Sequence, residues 1–185
     1  MKTFLPSLRL LAGLTLLTGG LYPLAVWAVG QAFFRHAAEG SLLEIQGHLV
    51  GSALLAQKTS DPRYFSPRPS AGDYATVASG ASNLAWTSAK LRTAVEANAQ
   101  QFREVNQLPV TTVLPPDVTT TSGSGLDPDL SPDAVRCQIP RIAKARGVAP
   151  EKISTLVDAS IETSLFGPAR VNVLKLNLKL DEQIR

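Results

Sequence analysis

The chain has 185 residues, of which 44% are hydrophobic and 18% charged, a composition typical of a folded protein rather than a disordered one. Its formal net charge is only +3, and its basic residues are scattered, so the composition gives no indication of a nucleic-acid partner. A single cysteine, Cys137, excludes a disulfide within the chain and a metal site built on two cysteines. The length predicts one domain plus a membrane anchor.

Residues 10–34 carry no charged side chain. A helix of that length, rising roughly 1.5 Å per residue, crosses the hydrocarbon core of a bilayer. Gly13, Gly19 and Gly20 lie within this stretch, and small residues let a second membrane helix approach closely. We interpret them as a packing surface for a partner helix, although membrane helices also tolerate glycine without such a role.

The charges beside the apolar stretch predict its orientation. Lys2 and Arg9 precede it, whereas Arg35 follows it and is offset by Glu39. Because cytoplasmic flanks of membrane helices are enriched in basic residues, we expect residues 1–9 to be cytoplasmic, 10–34 to span the membrane and 35–185 to be extracytoplasmic.

A cleaved signal peptide is the alternative interpretation of the same stretch. Residues 26–28, Val-Trp-Ala, are an acceptable cleavage site. The apolar stretch is longer than the roughly 7–15 residues usual in a signal peptide and continues to Phe34, so we favour a retained span.

The first half of the exported region shows patterns of both helix and strand. The predicted elements are two short strands joined by a turn within residues 42–56, an ordered loop over 61–73, a helix over 88–106 and a strand over 108–113.

The last third begins with a strong helix signal, Ser131-Pro132-Asp133, in which serine caps and proline suits the first helical position. Pro140 is expected to kink or split this helix, and Gly147 to end it. A second helix is predicted from Pro150 to about residue 161. Residues 171–180 alternate leucine with polar residues and predict a half-buried strand. The fold class is therefore α+β, with a single N-terminal transmembrane helix followed by one extracytoplasmic domain.

One loop has a composition that suggests phosphate binding. Ser122, Gly123, Ser124 and Gly125 could cradle a nucleotide phosphate through backbone amides. No Gly-Lys-Ser/Thr follows, so the ATP-binding P-loop pattern is absent. A hydrolase using a serine of this loop is a further hypothesis, but the sequence offers no histidine at a suitable spacing. A tight turn is the interpretation we favour.

Asp117, Asp127 and Asp129 form an acidic cluster in the sequence. They could attract cations near the mouth of a channel. Their spacing lacks the glycine and the closing glutamate of a calcium-binding loop, and neither histidine has a partner at metal-ligand spacing. We therefore predict no metal site and favour helix capping and turn formation for these aspartates.

Several basic residues could bind anions, although we favour loop anchoring or solvent exposure for them: Arg63, Arg68, Arg141, Lys144 and Arg146.

Five segments together resemble the C chain of Kdp-type potassium-transporting ATPases. They are 62–71 (PRYFSPRPSA), 78–84 (ASGASNL), 121–128 (TSGSGLDP), 138–147 (QIPRIAKARG) and 171–177 (VNVLKLN). Their order matches, and the resemblance runs from the apolar stretch to the C-terminus. At Ala81 the family pattern has a glycine, and at residues 85–86 it has Gly-Pro.

This resemblance implies a non-catalytic accessory subunit of a high-affinity, ATP-driven potassium importer in the bacterial inner membrane. The implied partners are a channel-like subunit that carries the ions and a P-type ATPase subunit that hydrolyses ATP. The family chain is described as a catalytic chaperone that raises the ATP affinity of the ATPase subunit. The resemblance implies no tightly bound cofactor, with ATP involved only through the complex. The alternative hypothesis is an extracytoplasmic ion-gating domain that concentrates K⁺ at the channel entrance.

Overall fold

A computed structural model describes residues 3–184 of the chain, so Lys2, one of the residues used to predict orientation, lies outside the described residues. The chain forms two compact units, divided between Ser52 and Ala53. Each unit is described by itself below.

The first unit begins with an apolar helix from Phe4 to Phe33 that is long enough to cross a membrane. Its parts are α1 (Phe4–Leu16), a π-helical turn (Leu17–Leu21) and α2 (Tyr22–Phe33), and it has no buried residue among those described. The wider turn ends two residues before Pro23, which has no amide hydrogen to donate and whose ring would clash with a carbonyl one turn back. The predicted membrane helix is confirmed as a helix, beginning earlier than Leu10.

A short helix and a hairpin complete the first unit: α3 (Arg35–Ala38), β1 (Leu42–Ile45) and β2 (His48–Ser52). The two strands pair antiparallel, as predicted. Gln46 and Gly47 form the turn with φ of 51° and 79°. Two consecutive positive φ angles match the right-handed twist of the flanking strands, which explains a glycine at this turn.

The second unit contains six helices and three strands in the part of the chain that the structure describes. The helices are α4 (Ala89–Asn106), α5 (Pro116–Thr119), α6 (Pro132–Arg136), α7 (Ile139–Arg146), α8 (Pro150–Asp158) and α9 (Val173–Gln183). The strands β3 (Asp129–Leu130), β4 (Glu162–Ser164) and β5 (Gly167–Asn172) form an antiparallel sheet with β5 in the centre. The predicted α+β class with one N-terminal apolar helix is confirmed.

The predicted helix signals of the last third are also confirmed. The Ser131 hydroxyl accepts a hydrogen bond from the Ala134 amide at 3.2 Å and caps α6. The helix is split before Pro140, and α7 ends at Gly147, whose φ is 66°. Only glycine adopts this left-handed conformation without a steric cost, which fixes the end of the helix.

The strand predicted over residues 171–180 is wrong after Asn172. The Asn172 side chain accepts from the Lys175 amide at 3.0 Å and caps α9. The residues buried within α9 are Val173, Leu176, Asn177 and Leu180, a spacing of three and four that matches one face of a helix. The alternating leucines concealed this second pattern.

The strand predicted over residues 108–113 is also wrong, because this segment is irregular. The side chains of Val110 and Val113 are 86% and 90% exposed, so they do not pack against a sheet. A β-branched run predicts a strand only where neighbouring strands give it a surface to pack on.

The core of the second unit lies among α6, α7, α8, α9 and β5. Its fully buried side chains include Phe65, Leu130, Ile142, Ile153 and Leu176. Phe65 comes from the predicted loop over 61–73, which has no helix or strand, as expected. The loop is therefore fixed to the core by an aromatic side chain.

Candidate functional site

The loop at residues 122–125 lies against two other segments of the second unit. The Gly80 amide and the Ser79 hydroxyl both donate to the Ser124 carbonyl at 2.9 Å. Gly125 has a φ of 70°, and a Cβ there would come within 3.0 Å of the Gly80 carbonyl oxygen. A glycine is therefore required at position 125 both by its left-handed backbone conformation and by the close approach of the Gly80 carbonyl.

Several groups that could bind a phosphate in this loop already have protein partners. The Ser122 amide donates to the Pro69 carbonyl, and the Gly125 amide to the Ser122 carbonyl. The Leu126 amide donates to the Ser124 hydroxyl at 3.1 Å. These bonds have the pattern of a tight turn, the interpretation that the sequence favours.

A shallow cavity of about 340 Å³ borders the same loop. It is lined by Leu54, Leu55, Ser79, Leu126 and Pro128 together with residues 122–124 and Asp127. Among the described lining residues there is no lysine or arginine to meet a triphosphate. The one charged lining residue, Asp127, is acidic, which disfavours an anionic ligand.

Asp117, Asp127 and Asp129 each accept hydrogen bonds from the protein. The Asp127 carboxylate accepts hydrogen bonds from the Arg68 guanidinium at 2.8 Å and from the Asp129 amide at 3.1 Å. The Asp117 carboxylate accepts hydrogen bonds from the Ser131 amide at 2.6 Å and from the Ser131 hydroxyl at 3.2 Å. These carboxylates therefore fix the turn and the start of α6.

Asp129 contacts two residues of β5. The Asn172 amide group donates to it at 3.2 Å, and the Arg170 guanidinium lies 3.3 Å away. Burial is the main influence on its pKa and raises it above the ordinary value, with Arg170 opposing. Through these two contacts, Asp129 connects β3 to β5.

The backbone of Phe65 is bound by the side chain of Asn177 on α9. The Phe65 amide donates to the Asn177 side-chain carbonyl at 2.8 Å, and the Phe65 carbonyl accepts from its amide group at 2.9 Å. An asparagine can satisfy both groups because its side chain carries one acceptor and two donors, as a peptide unit does. Asn177 thus fixes the loop to α9 in the way that a strand partner would.

The side chain of Gln138 binds the backbone of Ser66, the next residue of the loop, in the same way. Its side chain accepts from the Ser66 amide at 2.9 Å and donates to the Ser66 carbonyl at 3.0 Å. Gln138 is completely buried, and both of its polar atoms are satisfied. Because unpaired buried amides are costly, this match holds Ser66 in one position against α7.

Arg141, on α7, connects the loop to α4. Its guanidinium donates to the Pro62 carbonyl at 2.6 Å, the Tyr64 carbonyl at 3.0 Å and the Asn106 side chain at 2.8 Å. It is only 7% exposed, and burial lowers the pKa of the guanidinium. The loop-anchoring role favoured for this residue is confirmed.

Arg146 anchors the other end of α7. It donates to the Arg63 carbonyl at 2.9 Å and forms an ion pair with Asp181 at 2.7 Å. Its guanidinium lies 5.0 Å from the centre of the Tyr64 ring, within the range of cation–π attraction. The Tyr64 hydroxyl donates to the same Asp181 at 2.7 Å, and this bond raises the pKa of Tyr64.

All five sequence segments that carry the resemblance thus meet through hydrogen bonds. Segment 62–71 contacts 138–147 through Gln138 and Arg141, 171–177 through Asn177, and 121–128 through Arg68. Segment 78–84 joins them through Gly80. We call this arrangement the anchoring network. It is a set of polar contacts that fixes a loop without helix or strand. A cavity of about 580 Å³ lies beside it and is lined in part by Ser66, Asn106 and Arg141.

Within residues 3–184, no group of three or more histidine, cysteine, aspartate or glutamate side chains is arranged to hold a metal ion. The thiol of Cys137 is partly buried, and burial raises its pKa. A neutral thiol is a poor nucleophile and a poor metal ligand.

The glycines of the apolar helix are in a different situation. A Cβ added at Gly13, Gly19 or Gly20 would meet no described atom within 4 Å, apart from the helix's own backbone. Gly19 and Gly20 also lie in the π-helical turn, a feature that often marks functional positions. Nothing in the described chain therefore explains a glycine at these positions.

Comparisons with known proteins agree with these observations. The family model described as "K+-transporting ATPase, c chain" matches residues 4–182. This chain belongs to the KdpC family. Its relatives named "Potassium-transporting ATPase KdpC subunit" include those of Pseudomonas putida KT2440, 46% identical over 96% of this chain and 94% of the relative, and Mycobacterium tuberculosis H37Rv, 43% identical over 97% and 98%. A third, from Caldanaerobacter subterraneus, is 42% identical over 91% and 89%. The chain is thus a subunit of a potassium-transporting ATPase complex.

In this KdpC-family chain, sequence reasoning assigned no role to four of the anchoring residues: Gln138, Asn177, Asn172 and Asn106. One signal could have found two of them. Asn177 lies on the apolar face of α9, and Gln138 lies between the buried residues Val135 and Ile139. A polar residue at a core position usually has a bonded partner.

Proposed function

We propose that this chain is a non-catalytic accessory subunit that assembles and stabilises a high-affinity, ATP-driven potassium importer in the inner membrane. Its partners are a channel-like subunit that translocates K⁺ and a P-type ATPase subunit. The observation that carries the proposal is the apolar helix from Phe4 to Phe33, in which a Cβ added at any of three glycines would meet no described atom within 4 Å. A partner helix that packs on Gly13, Gly19 and Gly20 would explain them.

The proposed orientation has a cytoplasmic N-terminus and an extracytoplasmic domain. Arg9 precedes the middle of the apolar helix, whereas Arg35 at its other end pairs with Glu39 at 2.8 Å. The positive-inside rule counts lysine and arginine, and the excess of Lys2 and Arg9 before residues 10–34 over Arg35 after them supports a cytoplasmic N-terminus.

An effect on ATP affinity is part of the proposal, and it is indirect. With the second unit outside the cytoplasm, its residues do not reach cytoplasmic ATP. The chaperone effect then passes through the membrane helix and the partner subunits as a coupling free energy of about 1–3 kcal/mol. The internal hydrogen bonds of residues 122–125 and the acidic cavity lining support this indirect role over direct nucleotide binding.

We rank assembly above the ion-gating hypothesis for a similar reason. Asp117 and Asp127 are occupied by protein donors, which reduces their capacity to concentrate K⁺. If they nevertheless attract the ion, the variants Asp117→Asn and Asp127→Asn would lower apparent K⁺ affinity at low salt while leaving the complex intact.

Assembly is tested by a bulky substitution in the apolar helix. Gly20→Leu in the full chain should sharply reduce the amount of channel-like and ATPase subunits that co-purify with the tagged chain in detergent. Ala25→Leu is the control, because it adds a large side chain to the same helix at a residue outside the glycine set. Equal recovery of the partners with both variants would contradict the packing role of the glycines.

Orientation is tested separately by labelling. Gly123→Cys in a Cys137→Ser background gives one exposed thiol, since a side chain at Gly123 meets no described atom within 4 Å. Labelling of intact cells by an impermeant thiol reagent is expected. Labelling only after lysis would reverse the proposed orientation and restore direct ATP binding as a hypothesis.

A further inference from the structure

The hairpin of β4 and β5 presents two large apolar side chains to solvent. Ser164 pairs with Gly167, so Leu165 and Phe166 alone form the turn between the strands. Leu165 is 89% exposed and Phe166 is 94% exposed. β4 is exposed along its whole length, and β5 is buried only at its last two residues, so the turn projects from the second unit.

Turn geometry does not explain these two residues. In the β1–β2 hairpin, the corresponding positions are Gln46 and Gly47, which adopt the positive φ angles that two-residue turns favour. Neither Leu165 nor Phe166 is among the described residues with positive φ. A turn without positive φ angles accepts most residue types, so its backbone gives no specific reason for a leucine and a phenylalanine at these two positions.

The base of the hairpin is held by a set of ion pairs. Glu162 on β4 contacts Lys175 of α9 at 3.0 Å and Arg170 of β5 at 3.7 Å. Arg170 also contacts Asp129 of β3 at 3.3 Å. The hairpin is therefore connected to both α9 and β3, and the turn is presented in a defined position. Pre-organised aromatic side chains lose little entropy on binding and are typical anchors of protein interfaces.

The charges near the turn favour a protein partner over a lipid surface. The basic residues beside the hairpin base have protein partners: Arg170 and Lys175 pair with Glu162 or Asp129, and Lys179 donates to the Ser160 hydroxyl at 3.3 Å. Insertion into an anionic bilayer is normally assisted by basic residues that remain free to contact headgroups. An apolar pocket on a protein requires no such charge, and membership of an ATPase-subunit family provides the partner.

We propose that the turn of Leu165 and Phe166 inserts into an apolar pocket on another subunit of the same ATPase complex. This inference rests on the proposed assembly function and names the residues of the second unit through which it acts. The apolar helix and this turn would then be two separate attachment points, one in the membrane and one outside it.

Site-specific photocrosslinking in the full complex tests the contact directly. A photoreactive amino acid in place of Phe166 should crosslink to another subunit of the complex, whereas the same group in place of Val110, another exposed apolar residue, should not. Crosslinking at 166 only to lipid, to a second copy of this chain or to nothing, in a complex that is otherwise intact, would overturn the inference.

A pair of double variants measures the contribution of the turn. Leu165→Ser with Phe166→Ser should weaken retention of the partner subunits at least tenfold, equivalent to about 1.4 kcal/mol. The control is Val110→Ser with Val113→Ser, which removes similar exposed apolar surface from another loop. Circular dichroism should show both variants folded.

The outcomes separate this inference from the proposed function. Unchanged retention in the hairpin variant, or an equal loss in both, would overturn the role of the turn while leaving assembly through the apolar helix in place. Failure of the unaltered chain to co-purify with any ATPase subunit would overturn the proposed function and this inference with it.

Discussion

The glycines of the apolar helix and those of the loop at residues 122–125 are in opposite situations. Gly13, Gly19 and Gly20 have open space around them among the described residues. Gly125 has a left-handed backbone, and a Cβ there would lie 3.0 Å from the Gly80 carbonyl and 3.1 Å from the Ser70 hydroxyl. Contacts inside the chain explain the glycine in one region, whereas in the other we propose that a partner helix explains it.

This difference separates two kinds of sensitivity to mutation. Changes within the second unit should lower the stability of the chain by itself, since its core and anchoring network are complete. Changes on the apolar helix should leave the isolated chain folded and affect only the complex. Stability of the purified chain and recovery of partner subunits are therefore the two measurements that distinguish the regions.

The largest effect is expected in the core. Leu176→Ala should lower the free energy of unfolding by about 2–5 kcal/mol, because Leu176 is completely buried and its removal leaves a cavity. Chemical unfolding of the full chain in detergent, followed by circular dichroism, measures this. Leu174→Ala is the matched control and should cost less, because Leu174 is only partly buried. Equal losses would contradict the helical α9.

The same pair of leucines shows why the sequence misled us at α9. Leu174 and Leu176 are equivalent in a strand, and the alternation over residues 171–180 is as regular as that of a strand. The deciding information is polar: Asn172 caps the helix and Asn177 bonds the Phe65 backbone, which requires both to lie where a helix places them. Helix boundaries with proline or glycine signals, such as those at Ser131 and Gly147, were predictable because their causes are local.

A smaller loss is expected at Gly125. Gly125→Ala should lower the free energy of unfolding by about 1–3 kcal/mol, since alanine strains a positive φ and its Cβ presses on the Gly80 carbonyl. The control is Gly123→Ala, where an added Cβ meets no described atom within 4 Å. The same unfolding measurement applies, and equal stability of the two variants would show that the loop relaxes to accept a side chain.

The candidate site was only partly predictable for a related reason. The sequence pointed to residues 122–125 and 62–71 as distinctive, and it favoured a turn for the first and an ordered loop for the second. It did not reveal that the loop is fixed by side chains far along the chain. Phe65 and Asn177 are separated by 112 positions, and no local spacing encodes such a pairing. Only the three-dimensional packing of α7 and α9 brings the partners together.

A substitution in the apolar helix should have almost no effect on the stability of the isolated chain. Gly13→Ala should leave the free energy of unfolding unchanged or raise it by up to about 1 kcal/mol, because alanine is the better helix former and the site is open. The measurement is thermal unfolding of the chain alone in detergent. A clear loss of stability would mean that Gly13 is needed inside the chain, which would remove the contrast with Gly125.

The smallest effect is expected at the exposed start of the loop over 61–73, where Asp61 pairs with Arg63 at 2.7 Å. The side-chain hydrogen bond from Arg63 is the main cause that lowers the pKa of Asp61 from 3.8 to about 2. Because the folded pKa lies below the ordinary value, this pair contributes to stability above about pH 4, and the contribution is lost as the pH falls through 2. Both side chains are well exposed, so salt should screen the interaction.

An NMR titration of the Asp61 carboxyl group measures this directly. Arg63→Gln should return the midpoint toward 3.8, since glutamine keeps a donor but removes the charge. Lys58→Gln is the control, because Lys58 pairs with Asp73 at 2.7 Å and should leave the titration of Asp61 unchanged. A midpoint near 2 that persists in Arg63→Gln would mean that the backbone amide of residue 63, which the variant keeps and which donates to Asp61 at 2.9 Å, or the nearby Arg146 holds the carboxylate. The anchoring network would then extend to the exposed end of the loop.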